Sequence, residues 1–175
     1  IQPYFAIQGV DSTKALPPYD FTLNANLVNS AALKTIVPDL ERVDSVVLRT
    51  HFSDKNGWTA LLTAPVIDIG SNRIRRVRFE AGTNENKLDV KASLQQLHIS
   101  NSIELDNTSI TASLANNNID FILNIKDKNS KDKYNLQGLV KHAGAGNYTL
   151  SLQQKNLLLN YAEWSISPDN KLIFS

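Results

Sequence analysis

Cysteine is absent from this 175-residue chain, so neither disulfides nor thiolate metal sites are possible. Methionine is absent as well. Neither sign of charge dominates. The formal net charge is +1, which gives no strong electrostatic case for nucleic acid. No apolar run approaches the roughly 20 residues of a membrane-spanning helix, and the opening residues do not read as a signal peptide. Aromatic residues make up only 7 %. The apolar character therefore rests on Leu, Ile, Val and Ala, which suit either close packing or contact with acyl chains.

Motifs that carry chemistry are also missing. No serine lies in a nucleophile elbow, and no Gly-rich phosphate loop follows a strand. The carboxylates Asp68, Glu80, Asp89, Glu104 and Asp120 are dispersed, and nothing pairs two of them for glycoside hydrolysis. His51 and His98 fall in two separate predicted strands and His142 directly follows a third, with no Cys or carboxylate at ligand spacing. They read as polar-face residues rather than metal ligands. The expectation is a non-enzymatic protein with no metal or cofactor.

What the chain does have is a sustained period of two. Phe21, Leu23, Ala25 and Leu27 alternate with Thr22, Asn24 and Asn26, and Leu88, Val90, Ala92 and Leu94 repeat the pattern. Ile110, Ala112 and Leu114 follow it, as do Ile119, Phe121, Leu123 and Ile125. Successive strand side chains point to opposite faces, so this alternation makes sheets with one apolar and one wet face. The pattern predicts strands over 19–28, 45–53, 58–63, 66–69, 74–81, 87–94, 97–105, 109–115, 119–126, 134–141, 148–153, 157–160, 164–167 and 171–174. Turn formers separate them, notably at 54–57, 82–84, 116–118, 129–131 and 144–147. Their spacing of about ten residues predicts a mostly β fold, an antiparallel meander.

One short helix is expected near residues 30–37, capped by Ser30 and ended by Pro38. Leu33, Ile36 and Val37 give it an apolar stripe, suited to plugging one end of the sheet. Residues 1–18, with Pro3, Pro17 and Pro18, read as an edge strand plus linker, and 19–175 as a single β domain. The chain opens on Ile1, and Ser175 directly follows a strand-like stretch. A natural protein seldom starts without Met or stops in mid-strand. The expectation is therefore an excised or processed piece of a longer protein, with any anchor outside it.

Two further features carry less. The basic cluster at 73–78 puts Arg76 and Arg78 on one strand face and Arg75 on the other, which reads as a solvated edge strand. Its functional counterpart is contact with lipid phosphate head groups. Asn107-Thr-Ser109 and Asn147-Tyr-Thr149 match the glycosylation acceptor pattern, but with 19 asparagines chance matches are expected. Alternation alone leaves two architectures open. Two apolar faces close on each other in a sandwich, whereas an open, rolled sheet lines a groove.

The C-terminal stretch bears on this choice. Leu150-Ser-Leu152, Asn156-Leu-Leu-Leu-Asn160 and Glu163-Trp-Ser-Ile-Ser-Pro-Asp-Asn-Lys-Leu-Ile-Phe174 resemble a recurrent segment of the Bacteroidota form of the TamB (translocation and assembly module) family. Phe21-Thr-Leu-Asn-Ala-Asn-Leu-Val-Asn-Ser30 with the helix and Val37-Pro-Asp-Leu40 is similar to that family's strand, short helix and "PDL". Ala64-Pro-Val-Ile-Asp-Ile-Gly70 resembles one of its strands. The likeness spans about residues 19–174, and the Arg73–Arg78 cluster departs from it.

The resemblance implies a periplasmic protein of the AsmA-like superfamily, anchored in the inner membrane outside this stretch, with a β-taco-like open groove. It implies no catalytic residues. Its cargo would be phospholipid or unfolded outer-membrane protein, and its partner an outer-membrane barrel. On that reading the groove is lined by Leu88, Val90, Ala92, Leu94, Ile110, Ala112, Leu114, Phe121, Leu123, Leu136, Val140, Leu150 and Leu152. Trp164 and Pro168 would fix a turn and pack. The alternative is a closed β-sandwich for adhesion or carbohydrate binding, with Trp58 as its aromatic platform.

Overall fold

The computed structural model describes residues 4, 18–84, 86–100, 103–144 and 146–174. The expected edge strand and linker at 1–18 thus lies outside the described residues, apart from Tyr4 and Pro18.

Among the described residues, thirteen strands form one sheet. In chain order, β1 spans Asp20–Leu27, β2 Leu40–Val43, β3 Val46–Ser53, β4 Gly57–Ile69 and β5 Asn72–Asn84. There follow β6 Lys87–Ile99, β7 Ile103–Ala115, β8 Asn118–Lys126, β9 Asp132–Gly144 and β10 Asn147–Leu152. Three short strands close the chain: β11 Leu158–Leu159, β12 Ala162–Glu163 and β13 Leu172–Phe174. The main path runs β1-β3-β4-β5-β6-β7-β8-β9-β10-β13, antiparallel throughout. β2 pairs with the far half of β4, while β11 pairs with β9 and with β12. The two ends of this path, β1 and β13, do not pair with each other, so the sheet is open rather than a barrel. No second sheet lies over it among the described residues, so the closed sandwich is not the architecture observed.

Local chemistry explains the turns. Asn116 and Asn117 both adopt positive φ, 50° and 60°, in the two-residue loop between β7 and β8. A type I′ turn requires this, and asparagine tolerates it. Gly57 takes φ 75° at the start of β4, and a Cβ there would lie 1.9 Å from Thr83 Oγ1. That hydroxyl already accepts the Trp58 backbone N–H, so the site has room for glycine only.

The one helix among the described residues, α1 at Ala31–Ile36, lies where expected, with Ser30 Oγ accepting the Leu33 N–H. It buries none of its residues, and Ile36 is 78 % exposed. Its apolar stripe therefore does not plug the sheet.

Several strand boundaries differ from expectation. The segments 58–63 and 66–69 are one strand, β4, running through Pro65. Proline normally breaks an interior strand because it has no N–H to give. Here the ladder is already interrupted. Ala64 pairs with Val77 and Val66 with Arg75, but Pro65 and Arg76 are unpaired, and Arg76 has φ 50°. Segment 97–105 is not a strand, because the chain turns after Ile99 and β7 begins at Ile103. Ser100, with φ 47°, makes that turn without glycine or proline, and its N–H bonds Asn72 Oδ1. The expected strand at 164–167 is absent, and β2, which buries Leu40 and Val43, was not anticipated. β5, expected at an edge, is interior, between β4 and β6. Two of its four arginines face carboxylates: Arg75 and Arg78 form ion pairs with Asp68 and Glu80.

The buried centre is small. Ala81, Leu88 and Leu114 form it, with Tyr4, Trp58, Phe79, Ile119, Val140 and Tyr148 packed around them. Leu88 is 1 % exposed, whereas Leu23 on β1 is 50 % exposed. Truncation at a buried leucine loses transfer energy and leaves a cavity. Leu88→Ala should therefore lower unfolding stability by about 2–4 kcal/mol, and Leu23→Ala by less than about 1 kcal/mol, read from urea midpoints at unchanged slope.

Candidate functional site

The candidate site is the apolar face, which follows from register. Each ladder places apolar residues opposite apolar residues, so the alternations of successive strands add into rows. The first row is Phe21, Phe52, Trp58, Thr83, Leu88, Leu114, Ile119, Val140, Leu150 and Leu172 (Trp58 and Thr83 meet one position beyond the β4–β5 ladder). The second runs from Leu23 through Thr50, Ala60, Ala81, Val90, Ala112, Phe121 and Gly138 to Leu152. The third runs from Ala25 through Leu48, Leu62, Phe79, Ala92, Ile110 and Leu123 to Leu136.

Register brings all thirteen expected groove residues onto this one face. Leu88, Leu114, Val140 and Leu150 lie in the first row, and Val90, Ala112, Phe121 and Leu152 in the second. Ala92, Ile110, Leu123 and Leu136 lie in the third, while Leu94 falls two residues further along β6. Leu88 and Leu114 are buried, Ile110 is 39 % exposed, and the other ten are half-buried. A face closed by a second layer would bury most of them.

Reading the sequence left out the other half of the face: Phe21, Leu23, Leu48, Phe52, Leu62, Phe79 and Ala81 on β1, β3, β4 and β5. The signal for β1 was the same alternation. In β3 to β5 it is weakened by Thr50, Ala60 and Thr83 at inward positions. The second row is built mainly from small residues. At its end the Phe121 ring lies where a Gly138 side chain would be, 2.8 Å from an ideal Cβ, so the glycine makes room for the ring.

Beyond these rows the apolar positions change parity. β4 passes from Leu62 and Ala64 to Ile67 and Ile69, β6 from Leu94 to Leu97 and Ile99, and β7 from Ile110 to Leu105 and Ile103. The backbone is irregular along the same line: Pro65, Arg76 and Gln95 are unpaired in their ladders, and Asn107, at φ 38°, causes a one-residue register shift. Such irregularities reset alternation. Past them a further apolar row, Val43, Ile67, Ile74, Leu97 and Leu105, is held in register.

Aromatic rings gather at the opposite end of the face. Phe21 stacks on Phe52 at 5.0 Å, and Phe52 on Trp58 at 5.9 Å. Near the other edge Tyr148 stacks on Phe174 at 5.6 Å. A cavity of about 670 Å³ opens beside the first cluster, lined by Tyr4, Tyr19, Phe52, Trp58 and Thr83 among others. The Trp58 indole N–H donates to Thr50 Oγ1 at 2.8 Å, so this ring is committed to the apolar face and is not an outward sugar platform. Trp164, expected to pack, is 57 % exposed. In its motif the residue with a structural task is Asn170. Its side-chain amide accepts the Leu152 N–H and donates to Leu152 O, so it continues the β10–β13 ladder in place of backbone.

The polar face carries Thr, Ser, Asn and charged residues, with Val47, Leu61, Ile122, Leu139 and Ile173 among the exceptions. The histidines are far apart in the sheet. His51 bonds Asp20 at 2.7 Å, His98 sits opposite Arg73 and Glu104, and His142 meets the Tyr148 ring. Asn107, in one acceptor tripeptide, has its amide nitrogen bonded to Asp127 O. Searches against family models, curated proteins and solved structures found no match for this chain.

The Asp20–His51 pair ties the edge strand β1 to β3. The hydrogen bond from His51 is the main cause that holds the Asp20 carboxyl below its ordinary range. Partial desolvation opposes it, and the His51 charge and a hydrogen bond from Ser53 reinforce it. A depressed carboxyl stabilises the native state above its unfolded value, and that contribution disappears as pH falls through the folded value. Amide protection in β1 relative to β4 should thus decline at pH below the ordinary carboxylate range. Asp20→Asn should remove that step, which hydrogen exchange at a series of acid pH values will read.

Proposed function

We propose that the chain is a non-enzymatic, TamB-like segment of a periplasmic bridge, whose apolar groove shields a guest from water between the inner and outer membranes. The guest is a lipid acyl chain or an unfolded segment of an outer-membrane barrel, and an outer-membrane barrel protein is the partner expected at the far end. The observation that carries this reading is the set of apolar rows crossing eight to ten strands with no second layer above them among the described residues. The closing motif ending in Asn170 supports the family assignment.

The physics is non-directional. Removing apolar surface from water yields about 25 cal/mol per Å². A guest covering about 400 Å² of the face therefore gains on the order of 10 kcal/mol before ordering costs are subtracted. The inward positions of the first three rows carry few polar groups, Thr50 and Thr83 among them. Both are engaged in hydrogen bonds within the sheet, Thr50 to Thr59 O and Trp58, and Thr83 to Asn56 O and the Trp58 backbone. Little therefore fixes a guest at one position, and it is free to slide.

Native mass spectrometry and lipid extraction of the purified chain test this directly. Bound phospholipid, or saturable binding of a fluorescent phospholipid, is expected. Ile110→Asp and Leu123→Asp should each weaken that binding by about tenfold or more while the far-ultraviolet spectrum is retained, because a buried-guest contact becomes an unpaired charge. A repeatedly empty protein that binds no fluorescent lipid would count against the reading.

A further inference from the structure

Among the described residues the sheet has two open edges, β1 and β13, and they are unlike. β13 is three residues long and is preceded by Lys171. β1 is eight residues long, and every one of them is exposed. Natural edges are blunted by proline, by lysine, by an inward-pointing charge or by a bulge. β1 has none of these. It contains no proline and no basic residue, its pairing with β3 is regular over all eight positions, and its one charge, Asp20, is engaged by His51. Its inward positions are apolar, and Phe21, Leu23 and Leu27 remain exposed there.

The geometry points to a second copy of this chain as the occupant of the β1 edge, added antiparallel about a two-fold axis at Asn24. The strand is self-complementary in that register. Phe21 meets Leu27 and Leu23 meets Ala25 on the apolar face, while Thr22 meets Asn26 and Asn24 meets Asn24 on the polar face. The two Asp20 side chains fall at opposite ends of the paired strands, so no like charges oppose each other. One apolar face then continues across both copies, and the contact is isologous and closes at two. Backbone hydrogen bonds along the edge provide the affinity, as in other strand additions. This inference stands whatever guest the face carries.

The absence of cysteine makes the test clean, since any introduced thiol is unique. Sedimentation of the full chain should show concentration-dependent growth from 19.4 kDa to twice that mass at on the order of 100 µM. Leu23→Lys places a charge on the inward side of the edge and should restore the monomer without loss of the β spectrum. Asn24→Cys lies on the proposed axis and should oxidise to a cross-linked dimer about tenfold faster or more than Thr22→Cys, whose thiols would be too far apart to bond. A chain that stays monomeric at that concentration, or a dimer unaffected by Leu23→Lys, would overturn the proposal. So would open-ended growth beyond two copies, or cross-linking of Thr22→Cys as fast as Asn24→Cys.

Discussion

An antiparallel sheet sends alternate side chains to opposite faces, so a slip of one residue in any ladder would turn part of its apolar surface toward water. In this chain the ladders from β1 to β10 hold registers that keep three apolar rows aligned across the sheet. Everything else depends on that alignment. Leu88 and Leu114 reach burial because their row neighbours flank them, and Gly138 leaves space so that Phe121 can lie across the next strand. The tight turns, such as that at Asn116 and Asn117, fix the phase of each hairpin, and the Asn170 amide extends the last ladder.

A single layer is an unusual way to deploy so much apolar surface, because most domains bury such a face against a second layer. Here a few residues are sealed at the aromatic end, where Tyr4 packs on the buried cluster and accepts the Asn117 N–H. The remainder is half-buried or, on β1 and at Ile110 and Leu172, exposed. Such a surface gains from cover of any apolar kind, which suits a conveying role better than recognition of one ligand. The charged residues fit the same economy. Two of the four arginines of β5, Arg75 and Arg78, are matched by Asp68 and Glu80, so half of the basic cluster is neutralised locally.

The alternation in β1 and in β6 to β10 was legible in the residues themselves, as were the Asn and Gly turns and the capped helix. That information is local, and each strand repeats it. The misreadings have a common origin in information supplied by neighbours. Pro65 reads as a strand end unless Arg76 opposite it is known to be unpaired. Leu97 to Leu105 reads as one strand because its parity matches across the turn that begins at Ser100. The arginine cluster reads as an edge because its counter-charges lie on β4 and further along β5. The inward rows were found only in part, since Thr50, Ala60 and Thr83 look polar or neutral until register places them between leucines and aromatics. The helix itself was legible from its Ser30 cap, but Ile36 of its expected apolar stripe is exposed, and the sequence does not say what, if anything, covers it.

The central claim is that the apolar face is open to solvent or guest rather than enclosed. Thiol reactivity decides it in this cysteine-free chain. Leu123→Cys and Ile110→Cys, on the apolar face, should react with iodoacetamide in lipid-free protein within about tenfold of the rate of Ile122→Cys on the polar face. Leu88→Cys should be much slower. Protection of Leu123→Cys and Ile110→Cys by about a thousandfold, as in an enclosed core that must unfold to react, would contradict the account.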